Sequence, residues 1–333
     1  MVTRCGRNGM KQRDRDVPAE AARIADHYVE AILAAVEGSR RPATRRAYAS
    51  AWRKFRKWTR SEGLGSLPAD PMTVAAYLVY RMKQGLSMSS LEMDRKAIGY
   101  YHRTAGRLNP ASSEGVRNTM AGLRNQATEK GRNNPRQARG LTARLLMRIE
   151  DTACLPRTGP SGRTESAGFA RRRGNLDIAL VSVMRDGLLR RGEAAELRWR
   201  DVRFVHDGSA RVTIRRSKTS SVSAVQFIGL KAAIALRHIR PANPDPDARV
   251  FGIATGRTIS NRIAAMTRAA GLGEGFTGHS PRVGMAQDLT AKGMGLTAIM
   301  VAGRWKSERM PAYYSRGEAA GRGAVARYYG DFE

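Results

Sequence analysis

The sequence predicts a mainly α-helical chain with a small β-sheet, built as a helical N-terminal domain followed by a mixed α/β domain. Three observations predict it. The chain has 333 residues, beyond the size at which one hydrophobic core usually keeps growing, so two domains are expected. From Pro18 to Gly131 apolar residues recur at helical spacing, in segments that open on Pro or a small polar residue and close at or near Gly; helices are punctuated in this way. Beyond Leu141 the pattern changes, and the stretch 209–227 alternates apolar residues such as Val212 and Ile214 around a polar turn, as a β-hairpin does.

Taken in order, residues 1–16 read as a flexible basic arm, polar and without periodicity. A helical domain is expected over 17–130, with helices in "PAEAARIADHYVEAILAAVEG", "TRRAYASAWRKFRKWTRSEG", "DPMTVAAYLVYRMKQG", "SMSSLEMDRKAIGYYHRTAG" and "SEGVRNTMAGLRNQATEKG". "GRNNPRQARG", 131–140, combines Gly, Asn and Pro and reads as a linker. The second domain, 141–333, is expected to hold helices at 141–153 and 174–188, separated by a loop over 155–173, and then the hairpin. Further helices are expected at 229–240, 258–270, 280–293 and 306–316, with a short last one in "GAVARYYG".

Charge narrows the function. There are 59 Lys and Arg against 29 Asp and Glu, a formal net charge of +30, and such a field attracts polyanions, nucleic acid first among them. Non-specific binding to RNA or lipid headgroups is the plainer alternative. Cys5 and Cys154 are too few for a disulfide framework or a CxxC metal site, which suits a reducing cytosol. The N-terminus has no apolar signal segment, and "LDIALVSVM" is only long enough for a buried helix. A cytoplasmic protein with no membrane partner is expected.

The helix over 44–62 carries Tyr48, Ala51, Trp52, Phe55 and Thr59 on one face and Arg46, Arg53, Arg56, Lys57 and Arg60 on another. The first set packs and the second faces outward. A basic stripe of this kind is either a solvated face or a grip on nucleic acid.

Chemistry concentrates in four stretches: "GLLRRGEAAELRW" (187–199), "RRSKTSS" (215–221), "GHSPRVGMAQDL" (278–289) and "GRWKSERMPAYYSR" (303–316). His279 and Arg282 are three apart and share a side of a first helical turn. Pro281 suits that start. Tyr313 and Tyr314 point about 100° apart on a helix and cannot share a pocket, but helix geometry alone does not choose between them.

The order and content of these stretches resemble the tyrosine recombinase (phage integrase) family, and within it the Cre-type subgroup, where Trp stands nine residues before the nucleophile. The resemblance is specific over about 174–316 and diffuse in the N-terminal half. The family pattern LLRxxE falls on Leu188, Leu189, Arg190 and Glu193, the hairpin lysine on Lys218, the HxxR pair on His279 and Arg282, and the nine-residue step from Trp305 reaches Tyr314. The resemblance thus implies that Tyr314, not Tyr313, is the nucleophile. It also implies the fold: a helical, SAM-like core-binding domain and a catalytic domain that close on DNA as a C-shaped clamp.

The residue types suit that chemistry. An in-line attack on a phosphodiester builds negative charge on the nonbridging oxygens, which Arg190 and Arg282 would clamp with charge-assisted hydrogen bonds. A phenol of pKa about 10 needs a base or a positive field to lose its proton, and His279 is placed for that exchange or for donating to the phosphate. Lys218 would protonate the leaving 5′-oxygen, Trp305 would donate its indole N–H, and Glu193 would orient its neighbours. The implied product is a 3′-phosphotyrosyl enzyme with a free 5′-hydroxyl, formed without cofactor. Consistently, there is no GxxxxGK[ST] loop and no HExxH spacing.

The resemblance further places a major-groove helix near 258–271 with Arg262 as a base reader, and DNA contacts at Ser89, Ser90 and Arg95. The loop 155–173 departs from the Cre-type pattern and either touches DNA or is simply an insertion; its Arg157, Arg163 and Arg171 to Arg173 favour phosphate contact. The C-terminal segment would dock into a neighbouring copy through Val325, Tyr328 and Tyr329, or pack within its own chain; docking in trans gives a homotetramer on two double-stranded DNA targets. Two other readings stay open on the sequence: a type IB topoisomerase, which would relax supercoils as a monomer, and an architectural DNA-binding protein with a silent site.

Overall fold

The computed structural model describes residues 40–131, 137–159, 161–215, 223–321 and 323–330. The arm expected over 1–16, the helix expected over 18–38 and the hairpin tip with Lys218 lie outside the described residues. The chain divides into two compact units, Met1–Pro135 and Arg136–Glu333.

In the first unit, α1 (Pro42–Ser61), α2 (Pro71–Lys83), α3 (Met88–Thr104) and α4 (Glu114–Glu129) enclose the main core, with a smaller cluster of Tyr48, Ala51 and Ala97 between α1 and α3. Three of these starts have a local cause. Pro42 and Pro71 fall in the first turn of α1 and α2, where a missing N–H costs nothing. The Asp70 carboxylate accepts from Met72 N at 2.7 Å, and Ser113 Oγ caps α4 from Val116 N. Phe55, Tyr77, Leu78, Leu91 and Ile98 are fully buried, and the four apolar ones are each worth roughly 1.5–3 kcal/mol of transfer free energy. Trp52 stacks on Tyr101 with centroids 4.8 Å apart, and Phe55 meets Tyr77 edge-on at 5.1 Å. Tyr48, Ala51, Trp52, Phe55 and Thr59 are buried while Arg46, Arg53, Arg56, Lys57 and Arg60 are exposed, so the amphipathic reading of α1 holds.

The second unit is organised around α6 (Ala167–Asp186), whose C-terminal half, Ala179 to Met184, is buried on every side. It packs on α5 (Ala143–Ala153) through Gly174, where a Cβ would stand 2.6 Å from the Ala153 carbonyl. After α6 come α7 (Arg191–Glu196) and an antiparallel sheet of β1 (Val202–Phe204), β2 (Ala210–Ile214) and β3 (Ala224–Ile228) in the order β1-β2-β3. Register follows burial: β2 sends Ala210, Val212 and Ile214 inward, with Val212 opposite both Val202 and Gln226. The remaining helices are α8 (Leu230–Ile239), α9 (Gly256–Ala269), α10 (Ser280–Ala291), α11 (Leu296–Gly303), α12 (Arg309–Tyr314), α13 (Arg316–Ala320) and α14 (Ala324–Gly330). Among the described residues no helix is long and apolar enough to cross a membrane.

Several elements differ from expectation. Helix α6 begins at Ala167, not 174, because Ser166 Oγ caps Phe169 N, so Arg171 to Arg173 lie on a helix and the loop is shorter. The segment expected as one helix over 306–316 is split into α12 and α13 at Ser315. The C-terminal part of the expected linker is docked onto the second unit: Arg139 N donates to Gly275 O at 3.0 Å, and Arg139 Nη1 donates to Leu272 O and Glu274 O.

That strap continues into the start of α10. Leu141 N donates to Ser280 O at 2.8 Å, and a Cβ on Gly284 would overlap the Leu141 carbonyl. Gly284→Ala is expected to destabilise the second unit by about 1–3 kcal/mol, read as a fall in Tm, whereas Gly317→Ala, where a Cβ meets nothing within 4 Å, should leave Tm unchanged or slightly raised.

Candidate active site

The end of α6 sets the site. After Gly187, Leu188 takes a left-handed backbone (φ 46) and Arg190 returns to extended φ, capping α7. Three residues on, the buried Glu193 carboxylate accepts from Arg190 N at 2.9 Å and from Arg190 Nη1 at 2.7 Å. Arg190 is therefore fixed at both its backbone and its head. It sits ahead of α7 rather than on the preceding helix.

Arg282, on the first turn of α10, is 2% exposed. Its Nη1 donates to Leu188 O and its Nη2 to Gly303 O, while its guanidinium lies over the Trp305 ring, 4.1 Å from the centroid. A Cβ on Gly303 would collide with the indole, so glycine is what lets Trp305 lie there. Burial, with Arg190 and Arg304 close by, pushes Arg282 down to about 9. At neutral pH it remains a cation, held at a desolvation cost that a bound anion would offset.

Tyr314 ends α12. Its ring meets Trp305 at 6.0 Å, and its carbonyl accepts from Gln137 Nε2 at 3.1 Å. Burial raises the phenol pKa, and Arg282 and Arg190 pull the other way. Arg190, His279, Arg282, Trp305 and Tyr314 line one cleft of about 310 Å³. Tyr313 lies beside that cleft and carries the Arg316 guanidinium 4.8 Å above its ring. His279 caps α10 and is exposed. The structure thus brings together every residue of the expected set except Lys218, which lies outside the described residues.

Four residues lining the cleft were not anticipated, Arg304, Lys306, Ser307 and Met310, and Arg304 is the one tied to the buried carboxylate. Arg304 follows α11 with φ 56 and donates through Nη2 to Glu193 Oε2 at 2.7 Å. No sequence motif marks it, because in the chain it is only an arginine between Gly303 and Trp305.

The expected DNA-contacting residues divide. The five basic residues on α1 are exposed. Ser87 Oγ lies 2.9 Å from Ser89 Oγ and 3.1 Å from Ser90 Oγ, and Arg95 is engaged by Glu92 and by Ala111 O. Arg262, on α9, is ion-paired with the buried Asp177 and donates to Arg173 O. Arg157 and Arg173 reach the same carboxylate, so these side chains of the 155–173 stretch turn inward. Val325, Tyr328 and Tyr329 of α14 are exposed, while Ala326 lines a hollow with Thr290, Leu296 and Ile299 of its own chain.

The chain matches the model of the Phage integrase family over residues 171–320 and that of the Phage integrase N-terminal SAM-like domain over 26–108. It is 23% identical over 317 residues to Recombinase cre of Escherichia phage P1, covering 85% of this chain and 86% of the relative. It is 26% identical over 348 residues to an Integrase/recombinase xerD homolog of Selenomonas ruminantium, covering 96% of each. Among solved structures, the fold is similar to that of the Tn1549 transposon integrase in complex with transposon right end DNA (TM-score 0.57, 14% identity, 86% of this chain and 93% of that one). It is also similar to a lambda integrase dimer bound to a COC′ core site (TM-score 0.56, 19% identity, 88% and 94%).

Two guanidiniums in a half-enclosed cleft make an anion site testable without DNA. Tungstate, a tetrahedral dianion, at a hundredfold excess over its Kd is expected to raise the Tm of the second unit by about 5–11 °C. Arg190→Gln should remove most of that rise.

Proposed function

Because this chain belongs to the phage integrase family, as a tyrosine site-specific DNA recombinase of the Cre type, we propose that it cuts and rejoins duplex DNA through Tyr314. The Tyr314 oxygen bonds to the scissile phosphorus as the bond from phosphorus to the 5′-oxygen breaks. The phenolic proton passes to His279, or to water where His279 donates to the phosphate instead, and Lys218 gives the leaving oxygen its proton. The 3′-phosphotyrosyl link keeps the energy of the broken diester, so a 5′-hydroxyl from a second duplex reverses the attack. Two such rounds pass through a four-way junction.

The observation that carries this reading is Tyr314 in the same cleft as the Arg190 and Arg282 guanidiniums. Two fixed cations stabilise charge that develops on the phosphate without reorganising at the moment of reaction. Trp305 supports Arg282 from below as well as closing the cleft wall. The exposed basic face of α1 supports a DNA-gripping role for the first unit. Exposed Val325, Tyr328 and Tyr329 support docking of α14 on a second copy, and with it a homotetramer on two duplexes. A cytoplasmic site of action completes the proposal.

DNA crosslinked to the Tyr314→Phe protein, once sequenced, defines the target, which is remade as a nicked duplex. The native protein is expected to form a denaturant-resistant adduct on it; Tyr314→Phe should form none and Tyr313→Phe should retain it. An adduct that depends on Tyr313 instead overturns the assignment. Arg190→Lys should slow single-turnover cleavage by about 10²- to 10³-fold.

The pH profile follows from the same site. The phenol must lose a proton from a raised pKa, so the cleavage rate should climb from pH 6 upward. It should turn down only above about 9, where Arg282 sheds its charge.

A further inference from the structure

We propose that Arg304 is a positioning residue which neutralises Glu193, so that Arg190 and Arg282 face the scissile phosphate with their full charge. The inference deepens the function proposed above and rests on it. Four observations lead to it.

The first is backbone strain. Arg304 sits in the left-handed region (φ 56, ψ 42) at the end of α11, a position where glycine is the favoured residue because it has no Cβ. The second is an unmet donor. Arg304 Nε is buried and has no hydrogen-bond partner among the described residues. The third is burial: desolvation and the nearby Arg190 lower its pKa, with Glu193 opposing them. A strained, desolvated, partly unsatisfied cation persists only where its surroundings over-determine it, and such sites concentrate at function.

The fourth observation is the way the carboxylate is shared. Glu193 Oε1 accepts from Arg190 Nη1 and Oε2 from Arg304 Nη2, each at 2.7 Å. Arg304 also reaches Gly187 O and Leu188 O at 3.4 Å, and Leu188 O is a carbonyl that holds Arg282. It therefore touches the supports of both clamp arginines while lining the cleft itself.

Charge arithmetic gives the role. Beside Lys306, which also lines the cleft, Arg190, Arg282 and Arg304 contribute three positive charges and Glu193 one negative, leaving this four-residue cluster at +2. Without Arg304 it would be +1. A phosphodiester carries one negative charge, and its pentacoordinate transition state approaches two. Glu193 is needed to orient Arg190, yet its charge would cancel half of what the arginine pair offers. Arg304 allows the carboxylate to orient without cancelling.

The test is Arg304→Gly, which suits the left-handed backbone and removes only the side chain. Expected are a Tm within about 2 °C of the native value, unchanged affinity for the target duplex, and single-turnover cleavage of the nicked duplex slower by roughly 10- to 100-fold. Arg304→Lys should recover part of the rate. Glu193→Gln should slow the native enzyme but speed the Arg304→Gly variant, a reversal that a merely structural role does not produce.

Native-like cleavage by Arg304→Gly, a loss that tracks a fallen Tm, or no gain from adding Glu193→Gln would each overturn the inference. The tungstate shift separates this from failure of the cleavage reading. Even if the native protein forms no adduct, Arg304→Gly should lose about half of the anion-induced rise in Tm, and a full rise would overturn the proposal.

Discussion

The site is organised around one desolvated cation. Arg282 is removed from water almost completely, and a guanidinium can be held there only if fixed dipoles replace its hydration. Leu188 O and Gly303 O supply them, with the Trp305 face beneath. Among the described residues, Leu188 and Arg304 are the non-glycine positions with positive φ, and both lie at these carbonyls: Leu188 owns one, and Arg304 directly follows the other. The chain accepts strain at two turns to aim two carbonyls at one side chain. An arginine built in this way is preorganised, since its position is settled before any phosphate arrives.

The scaffold around Arg282 carries that constraint outward. Arg185 donates to Leu141 O and pairs with Asp288 at 2.7 Å, and the same carboxylate accepts from Ala143 N at 2.7 Å. Segment 137–143, the end of α6 and the body of α10 are thereby locked to one another. A separate knot sits at Asp177, whose pKa burial raises while Arg262, Arg157 and Arg173 oppose that shift. Arg173 also grips Glu165 at 2.8 Å and the carbonyls of Ala153 and Leu155. The knot pins the 155–166 loop to α6 and α9, and breaking one arm of it would leave buried charge uncompensated.

What the sequence made legible follows physical range. Helix α1 was readable because its packing stripe recurs over several turns, and β2 because Val212 and Ile214 alternate beside a polar turn. Helices α7 and α11 are six and eight residues long, too short for a period to emerge, and the three-residue β1 is recognisable only through its pairing with β2. The early start of α6 was hidden because "SAGFARRRG" reads as polar loop until Ser166 is seen to cap it. At the site, the resemblance brought Arg190, Glu193, His279, Arg282, Trp305 and Tyr314 onto the page, and the fold gathers them in one region. Arg304 was illegible for a different reason: its partner Glu193 is far away in sequence, and no local pattern links them. The inward turn of Arg262, Arg157 and Arg173 was hidden for the same reason, since a charge on a helix face does not disclose a buried acid across the gap.

The two halves of the site differ in how they are held. The arginines are fixed by buried carbonyls and a carboxylate, each bond made in a low-dielectric setting where it is strong. Tyr314 stands at the end of a six-residue helix, far too short to be stable by itself. Its placement comes instead from backbone tethers: its carbonyl accepts from Gln137 and Gln287, and the buried Ser315 hydroxyl donates to Pro311 O at 2.8 Å. These tethers hold the main chain. They place no hydrogen bond on the phenol, whose surroundings are set by burial and by the field of the two arginines. On the function proposed above, a rigid cationic site faced by a lightly held tyrosine would suit a reaction that must run in both directions, because the phosphate's charge would be met equally in attack and in return while only the tyrosine had to approach and withdraw.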